Sequence, residues 1–293
     1  MSYKQKRIVL ILLILFLFLS GICIMAYPIL STAYMDSVRS EVHTQYVDQI
    51  SVQDTSQLDE IRASAVEYNR RLYSGELSLL TPEENGYYEE MIIPDVTNVM
   101  GYVTIPRLAV ELPIFHGVGN DALSTGCGHM PQSSLPVGGA STHAVISAHT
   151  GMANSKMFTD LPLMQPGDLF QLDVLGETLT YQILSDDDIQ TVLPQEVSKI
   201  RIRPGEDLCT LVTCTPFGVN THRLLVTGHR IPTPVIPEDT AVAPDSVESP
   251  VEAQESLWVQ EYWHSVGMGL LIIGACMLPM AGYTLFRKLH RKK

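Results

Sequence analysis

Two stretches without a single charge constrain this chain before anything else does. Ile8–Leu30 (IVLILLILFLFLSGICIMAYPIL) runs for 23 residues and Val266–Phe286 (VGMGLLIIGACMLPMAGYTLF) for 21. Each is long enough to cross about 30 Å of hydrocarbon as a helix. Lys4, Lys6 and Arg7 precede the first, and Arg287, Lys288, Arg291, Lys292 and Lys293 follow the second. Basic flanks stay on the cytoplasmic side, so both termini are expected inside and residues 31–265 outside. The first run exceeds the roughly 7–15 apolar residues of a cleavable signal, and only a weak small-residue site (Ser31-Thr32-Ala33) follows it, so it reads as an uncleaved anchor. Pro279 sits within the second run, which a membrane helix tolerates.

Those flanks hold eight of the 19 basic residues; the other 11 face all 32 acidic ones, leaving the middle of the chain at −21. Phosphate recognition needs a basic footprint, so an acidic body argues against nucleic acid. Of five cysteines, Cys23 and Cys276 lie in the apolar runs and Cys127, Cys209 and Cys214 in the body. An odd exported count leaves at least one thiol unpaired within the chain.

Residues 31–73 carry helical periodicity. Val38, Val42 and Tyr46 recur at four-residue steps, and Leu58, Ile61, Ala65, Tyr68 and Leu72 at three or four. Asp54, Thr55 and Ser56 supply N-capping chemistry for the second helix, and Gly75 follows its end. Residues 74–98 lose the periodicity and read as a loop. From Gly101 to Ile231 the pattern turns to short strands: GYVTI, VELPIF, HAVISAH, DLFQLDVL, TLTYQIL, DLCTLVTC and RLLVTGH, separated by Gly and Pro clusters. Seven or eight such strands without intervening helices suggest a closed antiparallel barrel or a sandwich. The expected organisation is a basic N-terminus (1–7), an anchor (8–30), a helical segment with a possible lid loop (31–98), a β-barrel (99–231), an acidic Pro-rich tether (232–265), a second membrane helix (266–286) and a basic tail (287–293).

The chemistry concentrates in TLVTCTPFGVNTHRLLVTGHR, residues 210–230, which reads as two strands and a turn. Cys214 ends the first strand, where the turn opens it to solvent. Cys209 is an odd number of residues away and so points to the opposite face. Arg223 follows the turn and can return alongside Cys214. In general a nearby positive charge favours a thiolate, and a guanidinium offers a fork of donors to a carbonyl oxygen gaining charge. His222 is out of phase with Arg223, and His229 is in phase but about 20 Å along the strand at roughly 3.3 Å per residue. A general acid must then come from elsewhere. His143 and His149 stand at the two ends of HAVISAH, and spacing does not choose between them; His116 and His129 remain in loops. A zinc site from Cys and His is weak, since no close ligand pair such as C-x-x-C occurs, and no cofactor is expected. A papain-like protease orients its His with Asn or Asp rather than using an arginine on the next strand. A membrane-tethered adhesin or scaffold is the non-enzymatic alternative.

TLVTCTPFGVNTHRLLVTGHR closely resembles the signature of the sortases, membrane-anchored cysteine transpeptidases of Gram-positive bacteria, and TCTPFGVNTHR is most like the pilin-polymerising class C. STHAVISAHTGMANSKMFTDL is similar to the family's histidine segment. The resemblance covers about residues 31–231, and a transmembrane tail is also typical of class C. It implies an eight-stranded β-barrel, Cys214 as nucleophile, His149 as general acid and Arg223 as oxyanion or substrate-positioning residue. It implies as partners surface proteins or pilin subunits with C-terminal LPxTG-like signals. The amine acceptor would be a pilin lysine or, in an anchoring enzyme, a cell-wall peptide. Class C enzymes commonly carry an Asp-Pro-aromatic lid motif; residues 74–98 contain no such triplet, and Tyr87 or Tyr88 is the alternative plug.

Overall fold

The computed structural model describes residues 3–77, 99–152, 155–234, 256–260, 262–264, 266–271 and 274. The chain divides into two compact units, residues 1–29 with 252–293 and residues 30–251. In the first, helix α1 (Tyr3–Val52) begins and exposes Leu12, Phe16, Phe18 and Leu19. Among the described residues no helix is long and apolar enough to cross a membrane. The two membrane-crossing helices expected from the sequence are therefore not found there. Most of the second apolar run lies outside the described residues, as do most of the tether and loop residues 78–98 with Tyr87 and Tyr88.

In the second unit, α2 (Thr55–Tyr73) starts at Asp54, whose carboxylate accepts the amide of Ser56 and caps an otherwise orphaned donor. Its periodic apolar stripe buries Ala65 and Tyr68 completely. Beside them the Asn69 side chain makes a two-way amide clasp, donating to the Leu135 carbonyl at 3.0 Å and accepting the Leu135 amide at 2.7 Å. The later turns of α1 hold the barrel through Tyr46, whose hydroxyl accepts the Leu175 amide at 3.1 Å. Burial, chiefly, pushes that phenol up to about 12, so it stays a neutral hydrogen-bonding group.

Among the described residues nine strands follow: β1 (Val99–Ile105), β2 (Val110–His116), β3 (Cys127–His129), β4 (Thr142–Ser147), β5 (Leu169–Val174), β6 (Glu177–Gln182), β7 (Ile189–Val192), β8 (Asp207–Thr215) and β9 (His222–Ile231). Their order is β6-β5-β1-β2-β3-β4-β8-β9-β7, and β6 also pairs with β9. Eight strands thus close into a barrel. The long β9 is shared, meeting β7 along Arg223–Val226 and β6 along His229–Ile231. The expected closed barrel is present, but not its all-antiparallel form: β2–β3 and β4–β8 run parallel. Parallel neighbours need crossover connections, and residues 148–206, carrying β5, β6 and β7, form the one between β4 and β8.

β4, β8 and β9 are buried on both faces, which is why they read as near-continuous apolar runs. Cys209, Leu211, Ile146 and Val226 enter the main core, while Val145, Val212, Leu225 and Val192 form a second cluster on the other face. Gly228 is required by close approach. A Cβ there would lie 2.5 Å from the Phe170 ring and 2.7 Å from Tyr181, which stack with centroids 5.5 Å apart.

Two histidines are walled into this barrel. His129 is fully buried and donates from Nε2 to the Ser134 carbonyl at 2.8 Å; desolvation brings its pKa down to about 4. His143 is also buried, with Nδ1 2.9 Å from the Arg201 carbonyl and Nε2 2.6 Å from Thr210 Oγ1. A carbonyl can only accept, so Nδ1 carries the proton and Nε2 accepts from the threonine. Desolvation lowers this pKa too. Both groups are easier to protonate in the unfolded chain. Their stabilisation is complete above the unfolded value near 6.5 and is lost as pH falls toward the folded values. The melting temperature should therefore drop steadily between pH 6.5 and 4, and His129→Gln should flatten that slope. A melting temperature independent of pH across this window would contradict the neutral, buried assignment.

Candidate active site

The segment 210–230 forms the two strands and turn that its pattern predicts. β8 and β9 pair antiparallel in a register that sets Cys214 directly opposite Arg223 and Thr215 opposite His222. Directly opposed residues share a face, with Cβ atoms about 4.5–5.5 Å apart. The connection is tightened by the amides of Val219 and Asn220, both of which donate to the Pro216 carbonyl, at 3.1 and 2.9 Å. Arg223 Nη1 donates to the carbonyls of Asn220 and His222 at 3.2 and 2.9 Å, which leaves Nε and Nη2 as donors for a substrate oxygen.

The other flank of Cys214 is built by β4. It runs parallel to β8 with Ser147 level with Val212. The pairing is carried one step further by the Ala148 amide, which donates to the Val212 carbonyl at 3.1 Å, and by Thr213 Oγ1, which donates to the Ala148 carbonyl at 2.9 Å. Continuing that register sets His149 level with Cys214. Cys214 thus has Arg223 directly opposite it on β9, and His149, two residues past the end of β4, level with it on the other side, with neighbouring strands about 4.8 Å apart. All three are half-buried, whereas Cys127 and Cys209 are fully buried and desolvation pushes their thiols up.

The remaining histidines are placed elsewhere. His143 pairs with Leu208 at the far end of β4 and is spent on Arg201 and Thr210. His116 and His129 are partners in the β2–β3 pairing. His222 Nδ1 lies 2.9 Å from Thr221 Oγ1. His229 faces Leu208 across the sheet, and its Nε2 is 3.0 Å from Asp188 Oδ1. Burial would raise the Asp188 carboxyl, but His229 and the Ser185 and Leu184 amides outweigh it and hold the carboxyl low. Among the described residues, no group of three or more His, Cys, Asp or Glu side chains could hold a metal.

The loop after His149 is fastened to its own far side. The His149 carbonyl accepts the Phe158 amide at 3.1 Å, and the Gly151 amide donates to Thr159 Oγ1 at 3.1 Å. Phe217, in the β8–β9 turn, lies over Gly151. A Cβ on Gly151 would be 3.1 Å from the ring, and its backbone is left-handed at φ +75°. Periodicity does not reveal this contact, because both residues lie in turns; the only signal is that each turn carries a glycine or an aromatic where a polar residue would be expected.

A crystal structure of sortase C1 from Streptococcus agalactiae is 40% identical, covers 65% of this chain and 98% of its own, and superposes with a TM-score of 0.62. The chain belongs to the sortase family. Residues 103–231 match the sortase domain. Sortase C from Clostridium perfringens, solved with the C-terminal cell wall sorting motif, is 36% identical over 65% of this chain and 97% of that one, with a TM-score of 0.58. Sortase A of Streptococcus agalactiae serotype III (strain NEM316) is 35% identical over 131 residues, 44% of this chain. The match spans about half, 51%, of that curated relative. Both of these solved relatives are sortases of class C, and the likeness to them supports a sortase-like barrel.

A substitution at the Phe217 contact should register in stability. Gly151→Ala forces an alanine into the left-handed region and against the ring, at a cost of about 1–3 kcal/mol; adding Phe217→Ala should recover only the part due to the clash. Denaturant midpoints measure both. An unchanged midpoint in Gly151→Ala would mean the loop does not hold this conformation.

Proposed function

We propose that this sortase is a cysteine transpeptidase that joins a C-terminal LPxTG-like signal to an amine, with Cys214 as nucleophile, His149 as general acid and Arg223 as the oxyanion partner. The observation that carries the reading is the register that sets Arg223 opposite Cys214 on β9 and brings His149, just past the end of β4, level with it on the other side. The Cys214 sulfur attacks the carbonyl carbon of the Thr–Gly bond, and the carbonyl oxygen takes up negative charge. Arg223 Nε and Nη2 can donate to that oxygen, a contact worth about 3 kcal/mol by comparison with other oxyanion donors. Collapse of the tetrahedral adduct breaks the C–N bond. The departing glycine nitrogen takes its proton from His149, leaving a thioacyl enzyme and a neutral imidazole. An incoming amine then attacks the thioacyl carbon. His149 accepts the amine's proton, an amide forms, and the thiolate leaves.

The amine is read as a pilin lysine. The class C form of the TCTPFGVNTHR segment and the likeness to solved class C sortases support this. The substrate reading is supported by the Clostridium perfringens relative, solved with a cell wall sorting motif. The chain is further proposed to be held in the membrane at Ile8–Leu30 and Val266–Phe286, with both termini cytoplasmic and the barrel outside. The charge-free runs and their basic flanks support this.

Incubation with pilin subunits should give SDS-resistant ladders, absent with Cys214→Ala. Single subunits joined only to wall fragments would instead make this an anchoring enzyme, and products surviving Cys214→Ala would exclude Cys214 as nucleophile. Folded His149→Ala should lose turnover. Arg223→Met should lower kcat by about 100-fold, the equivalent of the lost oxyanion contact. In intact protoplasts, added protease should digest the barrel and spare tags at both termini. A C-terminal tag cut from outside would overturn the topology.

A further inference from the structure

His149 is reached from α1 through one side chain. Arg39 lies 9% exposed against the barrel, and its guanidinium is spent at every nitrogen. Nε donates to the Thr125 carbonyl at 2.8 Å, at the end of helix α3 (Asn120–Thr125). Nη2 donates to Ser155 Oγ at 2.7 Å and meets Met157 Sδ at 3.4 Å. Nη1 reaches Asp36 Oδ1 at 3.5 Å. Burying a guanidinium is costly, and surface packing alone does not require one here. Asp36, the only carboxylate of the set, is itself well exposed, so most of the compensation comes from the two loop side chains and one carbonyl.

What Arg39 grips is the segment that fixes His149. Ser155 and Met157 are buried, and Met157 takes a left-handed backbone at φ 44°. The next residue, Phe158, donates its amide to the His149 carbonyl, and Thr159 receives the Gly151 amide. Lys156 holds the same turn from a second side, donating to the Leu108 carbonyl at 2.5 Å and pairing with the buried Asp160 at 3.0 Å. His149 lies beyond the last residue of β4, so the strand ladder alone does not set its angle. We infer that Arg39 is a positioning residue for His149, clamping turn 155–158 so that the histidine stays level with Cys214. This rests on the proposed role of His149.

A planar fork is needed, because one guanidinium must span a carbonyl on one element and a hydroxyl and thioether on another. A lysine supplies one donor site and cannot span them. Misplacement of a reacting group by about 1 Å can cost about 100-fold in rate. The test uses the full-length chain in detergent, with Arg39→Lys, Arg39→Met and the milder Ser155→Ala. Melting temperature is followed by circular dichroism, and kcat and KM by cleavage of an LPxTG peptide. The His149 ring is read by carbon-13 histidine NMR, its signal assigned by its loss in His149→Gln. We expect kcat to fall at least 10-fold in Arg39→Met and less in Arg39→Lys, with KM within about 2-fold, in protein that stays folded at the assay temperature. The His149 signal should move or broaden without substrate. Ser155→Ala should do the same to a smaller degree. Unchanged kcat with an unmoved His149 signal in folded Arg39→Met overturns the inference. So does a loss of rate that only tracks the unfolded fraction. If His149→Gln itself retains turnover, the proposed mechanism fails, whereas the NMR shift tests the clamp independently of any reaction.

Discussion

The register of β8 between its two neighbours is the constraint on which this molecule depends. Side chains alternate faces with a period of two, so a slip of one residue against β9 would carry Cys214 to the face now held by Thr213 and remove Arg223 from its flank. Burial prevents the slip. β8 is apolar on both sides: Cys209 and Leu211 enter the main core while Val212 packs with Val145, Val192 and Leu225 on the other face. A shifted strand would exchange these sets for Thr210 and Thr213, whose hydroxyls are committed to His143, Thr227 and the Ala148 carbonyl. The hydrogen-bonded threonines therefore specify register as the apolar residues supply cohesion. Buried polar groups have this effect when every one of them is satisfied.

Much of this is legible in the sequence, and the parts that are not share a cause. Strands β1, β2, β4, β5, β6, β8 and β9 announce themselves by β-branched runs between glycines and prolines, and the Asp54 cap marks α2. β3 is missed because three residues, Cys127-Gly128-His129, carry no period. β7 is missed because Ile189–Val192 is half polar and finds its place only against the edge of β9. The parallel pairing of β4 with β8 is invisible as well. It joins residues 65 apart, and nothing local in HAVISAH distinguishes a parallel neighbour from an antiparallel one. The Cys214–Arg223 opposition follows from counting around one turn. The choice of His149 over His143 does not, because both are on one strand, and only the direction of β4 relative to β8 says which end meets the cysteine.

That direction also explains why two chemically identical imidazoles have different fates. At one end of β4, His143 sits under Arg201 and against Thr210, fully enclosed and kept neutral by desolvation. At the other, His149 is half-buried beyond the last ladder bond, where the barrel opens. The Thr210 hydroxyl stands between His143 Nε2 and Thr227 Oγ1, closing a chain of polar groups that would be expensive to break and has no free end to offer a substrate. His143 is thus closed within a buried polar chain, whereas His149 is partly open to solvent.

The three side chains at that open end are not held alike. Cys214 and Arg223 belong to a ladder of eight successive cross-strand pairs, so displacing either against the other requires shearing an entire hairpin. His149 is held by a loop, and the loop by contacts from outside the sheet: Phe217 over Gly151, Lys156 on Leu108 and Asp160, Arg39 on Ser155 and Met157. Each depends on a single side chain that a substitution can remove without unravelling a strand. The separation between Cys214 and Arg223 is therefore set by the backbone and resistant to change. The placement of His149, the proposed general acid, is set by side chains and open to adjustment. Because a misplaced reacting group is costly in rate, in the proposed mechanism small differences in the packing of α1 and the 155–160 turn would act through His149 while leaving the Cys214–Arg223 pair untouched.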